Sequence, residues 1–275
     1  MGRTPDSDPV QQAVEKLGYQ YEKRPMDFFA ESDLQSRLYE YLRAEFDDSN
    51  KLTVSYPGNN AMGVGPVSFI NERQKTKSFQ KQIEKETKNT AKSSSDHHLT
   101  RVHTEIYARE QFGLNSNNRL DIAILAADQH PQEFRPVFWE NGKQKASVEG
   151  MSGAIEVKYL RNRVDFRQKI GSINPKNASV SKIASEIDLS INDIKKDLTK
   201  SDYLGDPAGY DLDTVFVLMS NYDCLHRGRN QNYNRSGYGV DAKIGDAVVE
   251  SIDQQYDDVA VFYSTPVPSS SCWLV

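Results

Sequence analysis

Two carboxylates and one lysine lie inside short apolar segments of this chain, where charged side chains are uncommon. Asp121 lies in the segment RLDIAIL, and Glu156 and Lys158 lie in the segment GAIEVKYL. A charged side chain that leaves water costs free energy unless a partner compensates its charge. Carboxylate oxygens are the ligands that a hard divalent cation prefers. The three residues therefore indicate a site for a divalent cation with a lysine beside it.

The segments that carry these three residues are predicted to be buried strands. Residues 120–125 and 154–160 are short runs rich in Ile, Val and Leu, with Gly or Asn nearby. Since side chains two positions apart in a strand point to the same face, Glu156 and Lys158 should emerge side by side. The polar residues between the two runs, 127–152, predict an insertion.

The rest of the chain predicts helices and strands around these two strands. A helix over 33–46 would begin after Ser32, which with Gln35 matches a capping box. Residues 112–118 predict a hairpin turn between two strands. Other predicted helices lie at 10–17, 181–200 and 244–256, and other predicted strands lie at 101–108, 137–140, 214–220 and 259–264.

The arrangement of Asp121, Glu156 and Lys158 resembles the motif of the PD-(D/E)XK nuclease superfamily, which has the restriction-endonuclease-like fold. Glu105, in RVHTEIY, precedes Asp121 in the way that an upstream acidic residue often does in these enzymes. Leu120 takes the place of the usual proline before the aspartate, and Asp121 and Glu156 are 35 positions apart. The resemblance implies an α/β fold with a central mixed β-sheet flanked by helices, in the core order α-β-β-β-α-β.

The resemblance also implies roles for individual residues. Asp121, Glu156 and the backbone carbonyl of Val157 would bind Mg²⁺, with Mn²⁺ as a substitute, and Glu105 would add a third acidic ligand. A metal can both activate water and neutralise charge on a phosphodiester. Lys158 would orient or deprotonate that water, or stabilise the phosphate charge.

Plainer interpretations of the same residues stay open. Asp121 could cap a hairpin, and Glu156 could form a surface ion pair with Lys158. Glu105 could pair with Arg119 as an ordinary strand residue. On the helix predicted over 33–46, Glu40 is a weaker candidate for the metal site. The histidines His97, His98 and His103 do not have the spacing of a common zinc site.

Composition sets limits on the class of protein. The chain has 275 residues and a formal net charge of −5, which neither supports nor excludes a DNA substrate. No apolar run approaches the roughly 20 residues of a membrane helix, and the first residues have no secretory signal pattern. Two cysteines cannot form a disulfide framework. These features predict a cytoplasmic protein that does not bind a membrane.

Basic residues are concentrated in a few places. Segment 72–98 carries 7 basic and 4 acidic residues, a net charge of +3 in an otherwise acidic chain. It is predicted to be either a solvated helix with a flexible end or an arm on the phosphate backbone. The candidate nucleic-acid contacts are Lys75, Lys77, Lys81, Lys85, Arg161, Arg163, Arg227 and Arg229.

Together these features predict an organisation and a function. Residues 1–98 would form an N-terminal helical region with the basic segment at 72–98, and residues 99–275 a nuclease core joined by the helix at 33–46. The resemblance implies an Mg²⁺-dependent endonuclease that cleaves DNA, with restriction or defence as its role. The alternatives are a repair or recombination nuclease acting on junctions or other DNA structures, and a catalytically silent member of the fold that binds nucleic acid or a partner protein. A homodimer is left open.

Overall fold

The structure, a computed structural model, describes most of the chain outside its N-terminus and several connecting segments. The described residues are 9–47, 52–54, 97–99, 101–108, 119–126, 138–140, 143–146, 151–162, 164, 166–205, 212–225, 238–266 and 270–274. The predicted turn at 112–118 lies outside them, as do Arg163, Arg227, Arg229 and the four candidate lysines of segment 72–98.

Helices and strands alternate along the described residues. The α-helices are α1 (Pro9–Lys23), α2 (Glu31–Asp47), α3 (Val180–Ala184), α4 (Ile194–Gly205) and α5 (Tyr238–Gln255). The strands are β1 (Leu52–Val54), β2 (His97–Leu99), β3 (Val102–Ala108), β4 (Arg119–Leu125), β5 (Phe138–Glu140), β6 (Lys143–Ala146), β7 (Met151–Leu160), β8 (Asp213–Ser220), β9 (Val259–Ser264) and β10 (Cys272–Trp273). Short 3₁₀ turns lie at Pro25–Asp27, Phe166–Lys169 and Ile191–Asp193.

Most of the described strands form one open, mixed sheet. Its strand order is β10-β9-β8-β7-β4-β3-β6-β5, while β1 and β2 pair separately. Strand β4 runs antiparallel to both β3 and β7, and β8 runs parallel to both β7 and β9. The predicted class, α/β with a mixed sheet flanked by helices, is confirmed.

The alternation of side chains along the strands places a helical layer on each face of the sheet. In β7, Ile155, Val157 and Tyr159 belong to a core that also contains the buried leucines of α1 and α2. Even-numbered residues of β8 and odd-numbered residues of β9 belong to a second core with α3, α4 and α5. Glu156 and Lys158 alternate with the first set, so they lie on the face of β7 that α4 covers. Strand β7 therefore has one apolar face and one face that carries the charged side chains of Glu156 and Lys158.

The predicted helix over 181–200 is wrong, because the chain leaves the helix between α3 and α4. Asn192 and Asp193 have φ values of 49° and 65°, in the left-handed region. Short polar side chains compete with the helix for backbone hydrogen bonds and tolerate this region. Asp188 shows that competition, since its carboxylate accepts bonds from the backbone N–H and the hydroxyl of Ser190. The break lets α4 begin at Ile194 with its own direction.

Two smaller predictions also need correction. The helix predicted over 33–46 begins at Glu31, so Ser32 lies inside α2 and does not cap it. Asp33 instead accepts hydrogen bonds from the backbone N–H groups of Phe29 and Ala30, which fixes the loop before the helix. In the predicted insertion, β6 accompanies the expected added strand at β5 and pairs with it.

Candidate active site

The site lies where β4 and β7 separate. The paired register of the two strands runs from Leu125 opposite Met151 to Ile122 opposite Ile155. Beyond that point the Val157 N–H donates to Asp121 Oδ2 at 2.9 Å, so a carboxylate takes the place of a backbone carbonyl. We call this opening between the strands the fork.

The carboxylates of Asp121 and Glu156 are buried in the fork, with 9% and 3% of their surfaces exposed. The two residues are in contact, because the backbone N–H of Asp121 donates to Glu156 Oε1 at 3.3 Å, and the charge of the Asp121 carboxylate acts on Glu156. Two buried carboxylates repel each other and lose hydration. The fork therefore needs positive charge, from protein side chains or from an ion.

Helix α4 supplies one residue of each charge to the fork. Lys200 Nζ forms an ion pair with Glu156 Oε2 and donates to the Arg119 carbonyl at 2.8 Å. Asp197 Oδ2 lies 3.0 Å from Lys158 Nζ. Asp197 and Lys200 are three residues apart, so they lie on the same side of the helix and face Lys158 and Glu156 together.

The first turn of helix α2 closes the fork from the other direction. Glu31 Oε2 accepts the Tyr159 N–H at 3.0 Å and lies 3.9 Å from Lys158 Nζ. One turn further along, the Gln35 side chain hydrogen-bonds Asp121. The N–H groups of Val157 and Tyr159 lie beyond the residues of β7 that pair with β4, and each donates to a carboxylate. This explains how the edge of β7 toward β4 stays buried although β4 no longer pairs with it there.

Burial raises the pKa of three carboxyl groups in the fork. For Glu156 the pKa is raised well above its ordinary value by burial and by the Asp121 charge, although Lys200 opposes the shift. For Asp121 and Glu31 burial also raises the pKa, while hydrogen bonds from Val157 and Tyr159 oppose it. These carboxyl groups are ionised at a cost, and an added cation would lower that cost.

Lys158 has a net raised pKa. Burial alone lowers the pKa of this ammonium, but Asp197 and Glu31 raise it by more. The ammonium is therefore the stable form, which favours stabilisation of a phosphate charge over removal of a proton from water.

Glu105 and Glu40 are exposed, and the carboxylate of each pairs with an arginine. Glu105 has a φ of 57°, and its carboxylate pairs with Arg119 Nη1 at 2.6 Å while 43% exposed. Glu40 is 60% exposed and pairs with Arg37, also at 2.6 Å. Of the acidic residues considered in the sequence, the structure brings Asp121 and Glu156 together, and α2 contributes Glu31 in place of Glu40.

The surface next to the fork carries a guanidinium and two exposed aromatic rings. Arg161, directly after β7, donates from Nη1 to the Phe29 carbonyl at 3.3 Å, and its own backbone carbonyl accepts a bond from the side-chain amide of Asn221. The Phe29 side chain is 71% exposed, two residues before Glu31, and Tyr222 follows Asn221 and is also exposed. Of the arginines proposed to contact nucleic acid, Arg161 is the one in the described part of the chain.

A second acidic group lies on the surface. Among the described residues, the group of three carboxylates whose oxygens all lie within 4.8 Å is Asp202, Asp257 and Asp258, which we call the surface triad. Asp257 and Asp258 are exposed. Of the three histidines whose spacing does not match a common zinc site, His97 and His98 lie in β2 and His103 lies in β3.

The oxygen atoms of the fork are suitable ligands for a hard divalent ion. Mg²⁺ commonly takes one or two carboxylates with water in the remaining positions, and Asp121 and Glu156 can supply two. The N–H and C=O of one residue in a strand point to the same edge, so the Val157 carbonyl faces the edge where Asp121 receives the Val157 N–H. Glu31 and Gln35 lie close enough to support this set.

Sequence reasoning missed Glu31, Asp197 and Lys200. Glu31 was outside the predicted helix, which was expected to begin at Asp33. Asp197 and Lys200 lie inside the predicted helix over 181–200, next to its apolar stripe. A charged pair with i, i+3 spacing next to that stripe was the available signal. Glu156 thus pairs with Lys200, and Lys158 pairs with Asp197 and Glu31, so the alternative interpretation of a Glu156–Lys158 ion pair is wrong.

Comparison of the chain with protein-family models, with curated proteins and with solved structures found no match. Within the described residues, no helix is both long enough and apolar enough to cross a lipid bilayer.

Proposed function

We propose that this protein is a metal-dependent phosphodiesterase that cleaves DNA, of the PD-(D/E)XK type, with Mg²⁺ or Mn²⁺ as its ion. The observation that carries the proposal is the fork itself, where the carboxylates of Asp121 and Glu156 are buried at one separated strand end. Glu31 lies next to them, 3.9 Å from the Lys158 ammonium. Buried charges at such density weaken a fold unless they are well compensated, and perturbed carboxyl groups are concentrated at functional sites.

The order of elements supports the same proposal. When β1, β2, β5, β6 and α3 are set aside as additions, helix α2 is followed by the antiparallel strands β3, β4 and β7, then by α4, and then by β8 parallel to β7. The remaining order is compatible with the α-β-β-β-α-β core of the superfamily. Asp121 lies on the second of these strands and Glu156 and Lys158 on the third, as the motif requires.

The chemistry divides among the residues of the fork. Asp121, Glu156 and the Val157 carbonyl would hold the ion, which when bound supplies an activated water and neutralises phosphate charge. Lys158 stays protonated between Asp197 and Glu31 and would offer its ammonium to a phosphate oxygen. Glu31 and Asp197 hold that ammonium in position.

The surface beside the fork suits a nucleic-acid strand. Guanidinium groups bind phosphate oxygens, and exposed aromatic rings stack on bases. Arg161 and Phe29 lie in contact with each other. Arg161 is three residues after Lys158, and Phe29 is two residues before Glu31. A strand bound there would have its backbone at the mouth of the fork. Restriction or defence is the role that we favour for such an enzyme.

A second candidate is a catalytically silent member of the fold. One observation favours it: the Lys200 ammonium already compensates Glu156, so the buried carboxylate has a partner without any ion. In that case the charges of the fork would be structural, and Arg161 and Phe29 would belong to a binding surface.

A cleavage assay separates the two candidates. Supercoiled plasmid and a linear duplex are incubated with the full chain and Mg²⁺ or Mn²⁺, and product ends are mapped. Nicked or linear products that vanish with Asp121→Asn and with Glu156→Gln are expected. Glu40→Gln is the matched control, since it neutralises an exposed glutamate of α2 and should leave cleavage unchanged. Equal activity in all four proteins, or none in the wild type with either ion, would reject the enzyme.

A further inference from the structure

Lys200 is a buried lysine whose ammonium lies among oxygen atoms of the fork. The residue is 8% exposed. Its ammonium pairs with Glu156 Oε2 and donates to the Arg119 carbonyl, an oxygen of β4. Its charge also acts on Asp121, where it partly offsets the effect of burial on the carboxyl pKa. One ammonium thus serves both strands of the fork.

The surroundings of this ammonium are those that a small hard cation would choose. An ammonium offers three donors and no acceptor, so it seeks oxygen atoms, as Mg²⁺ and Mn²⁺ do. Glu156 is a predicted metal ligand, and one of its two carboxylate oxygens is engaged by Lys200. An ion bound by Asp121 and Glu156 would therefore compete with the ammonium for the same oxygen.

The two lysines of the fork have separate partners. Lys158 contacts Asp197 and Glu31, whereas Lys200 contacts Glu156 and the Arg119 carbonyl. Removal of Lys158 would leave the Glu156 carboxylate compensated, and removal of Lys200 would not. Lys200 alone is thus placed to act on the proposed metal ligands.

We propose that Lys200 is an internal counterion that occupies the cation position of the metal-free fork, and that a divalent ion binds by displacing its ammonium. This inference rests on the proposed function, since it concerns the same carboxylates. Two cations that compete for one position oppose each other's binding, and the coupling is reciprocal. Lys200 therefore keeps the fork folded without metal and weakens its affinity for metal.

The test is a titration of the metal-free full chain with Mn²⁺, in which electron paramagnetic resonance measures the free Mn²⁺. Thermal unfolding with and without Mn²⁺ is a second measurement. The variants are Lys200→Met, which removes the charge, and Lys200→Gln, which keeps a donor for Glu156 if the methionine variant folds poorly. Lys196→Met is the control, because Lys196 is an exposed lysine of the same helix. We expect Lys200→Met to bind Mn²⁺ more tightly by roughly 5- to 150-fold, the usual range of coupling between two ligands.

The thermal measurement gives an independent reading. Without metal, Lys200→Met should unfold at a lower temperature than the wild type, and Mn²⁺ should raise its unfolding temperature by more than it raises that of the wild type. Equal or weaker Mn²⁺ binding in both Lys200 variants would overturn the counterion role while leaving the metal site intact. Absence of Mn²⁺ binding in wild type and variants alike would overturn the metal site, and this inference with it.

Discussion

The fork and the surface triad are two groups of carboxylates that lie in opposite surroundings. In the fork, Asp121 and Glu156 are buried and the charge of Lys200 compensates theirs. In the surface triad, Asp257 and Asp258 are exposed to water, with Asp202 beside them. The triad has the tighter cluster of carboxylate oxygens, while the fork has the greater electrostatic cost.

The difference teaches that proximity of carboxylates is a weak indicator of a metal site. Water screens exposed acidic groups, so a surface cluster costs little and needs no ion. Buried acidic groups each lose hydration, and the effective penalty is several kcal/mol per ion before compensation. A fold that keeps such groups at a strand opening requires a stronger explanation, and a catalytic ion is the explanation that we favour.

The largest effect that separates the fork from the surface triad should come from Lys158, the lysine of the fork that does not contact the proposed metal ligands. Lys158→Met should lower the cleavage rate by about 10²–10⁴-fold, because it removes the charge beside the phosphate. Single-turnover cleavage at saturating Mg²⁺ measures that rate. Mn²⁺ affinity should change little, since Lys158 contacts Asp197 and Glu31.

Lys195→Met is a suitable control for this change, as Lys195 is exposed on α4. If Lys158→Met instead lost Mn²⁺ binding together with activity, the two lysines would not have separate roles. If the variant kept the wild-type cleavage rate, the ammonium would be a structural partner of Asp197, and a catalytic role for Lys158 would be rejected.

A smaller effect should appear in the pH dependence of stability. Burial raises the pKa of Asp121 and of Glu156, so the folded chain binds these protons more tightly than the unfolded chain does. Stability from this source is present below the ordinary carboxyl pKa and is lost as the pH rises through the raised folded pKa. Urea unfolding in metal-free buffer should therefore show a free energy of unfolding that declines across that interval.

Asp121→Asn tests the origin of that decline. Asparagine keeps an oxygen for the Val157 N–H but carries no charge, so the variant should decline less and be more stable than the wild type above the interval. A variant that is less stable than the wild type at every pH would show that the Asp121 charge is net stabilising in the fork.

The smallest effect should come from the surface triad. The double variant Asp257→Asn, Asp258→Asn should change the free energy of unfolding by no more than about 0.5 kcal/mol, as surface substitutions usually do. Its cleavage rate and Mn²⁺ affinity should match those of the wild type. A loss of Mn²⁺ binding in this variant would move the metal site from the fork to the triad.

The strands of the fork and its central residues could be predicted from sequence, because their signals are local. Apolar runs mark β4 and β7, and Asp121, Glu156 and Lys158 stand out as charges inside those runs. Alternation along β7 also gave the shared face of Glu156 and Lys158 without any knowledge of the fold.

The partners of these residues could not be predicted, because they depend on packing between distant elements. Lys200 meets Glu156 only after α4 packs on the sheet, and that packing depends on the break at Asn192 and Asp193. Glu31 reaches Tyr159 across 128 positions of sequence. Polar residues on helices are usually solvated, so nothing local distinguishes the ones that turn inward.

Iron-directed cleavage of the polypeptide tests the central claim most directly, because it locates the bound ion. Fe²⁺ replaces Mg²⁺ in the metal-free full chain, ascorbate and hydrogen peroxide generate hydroxyl radicals at the ion, and mass spectrometry identifies the cut positions. A catalytic ion in the fork predicts cuts near Asp121 and near Glu156 and Val157, all suppressed by excess Mg²⁺. Cuts confined to the neighbourhood of Asp202, Asp257 and Asp258, or cuts that excess Mg²⁺ does not suppress, would contradict it.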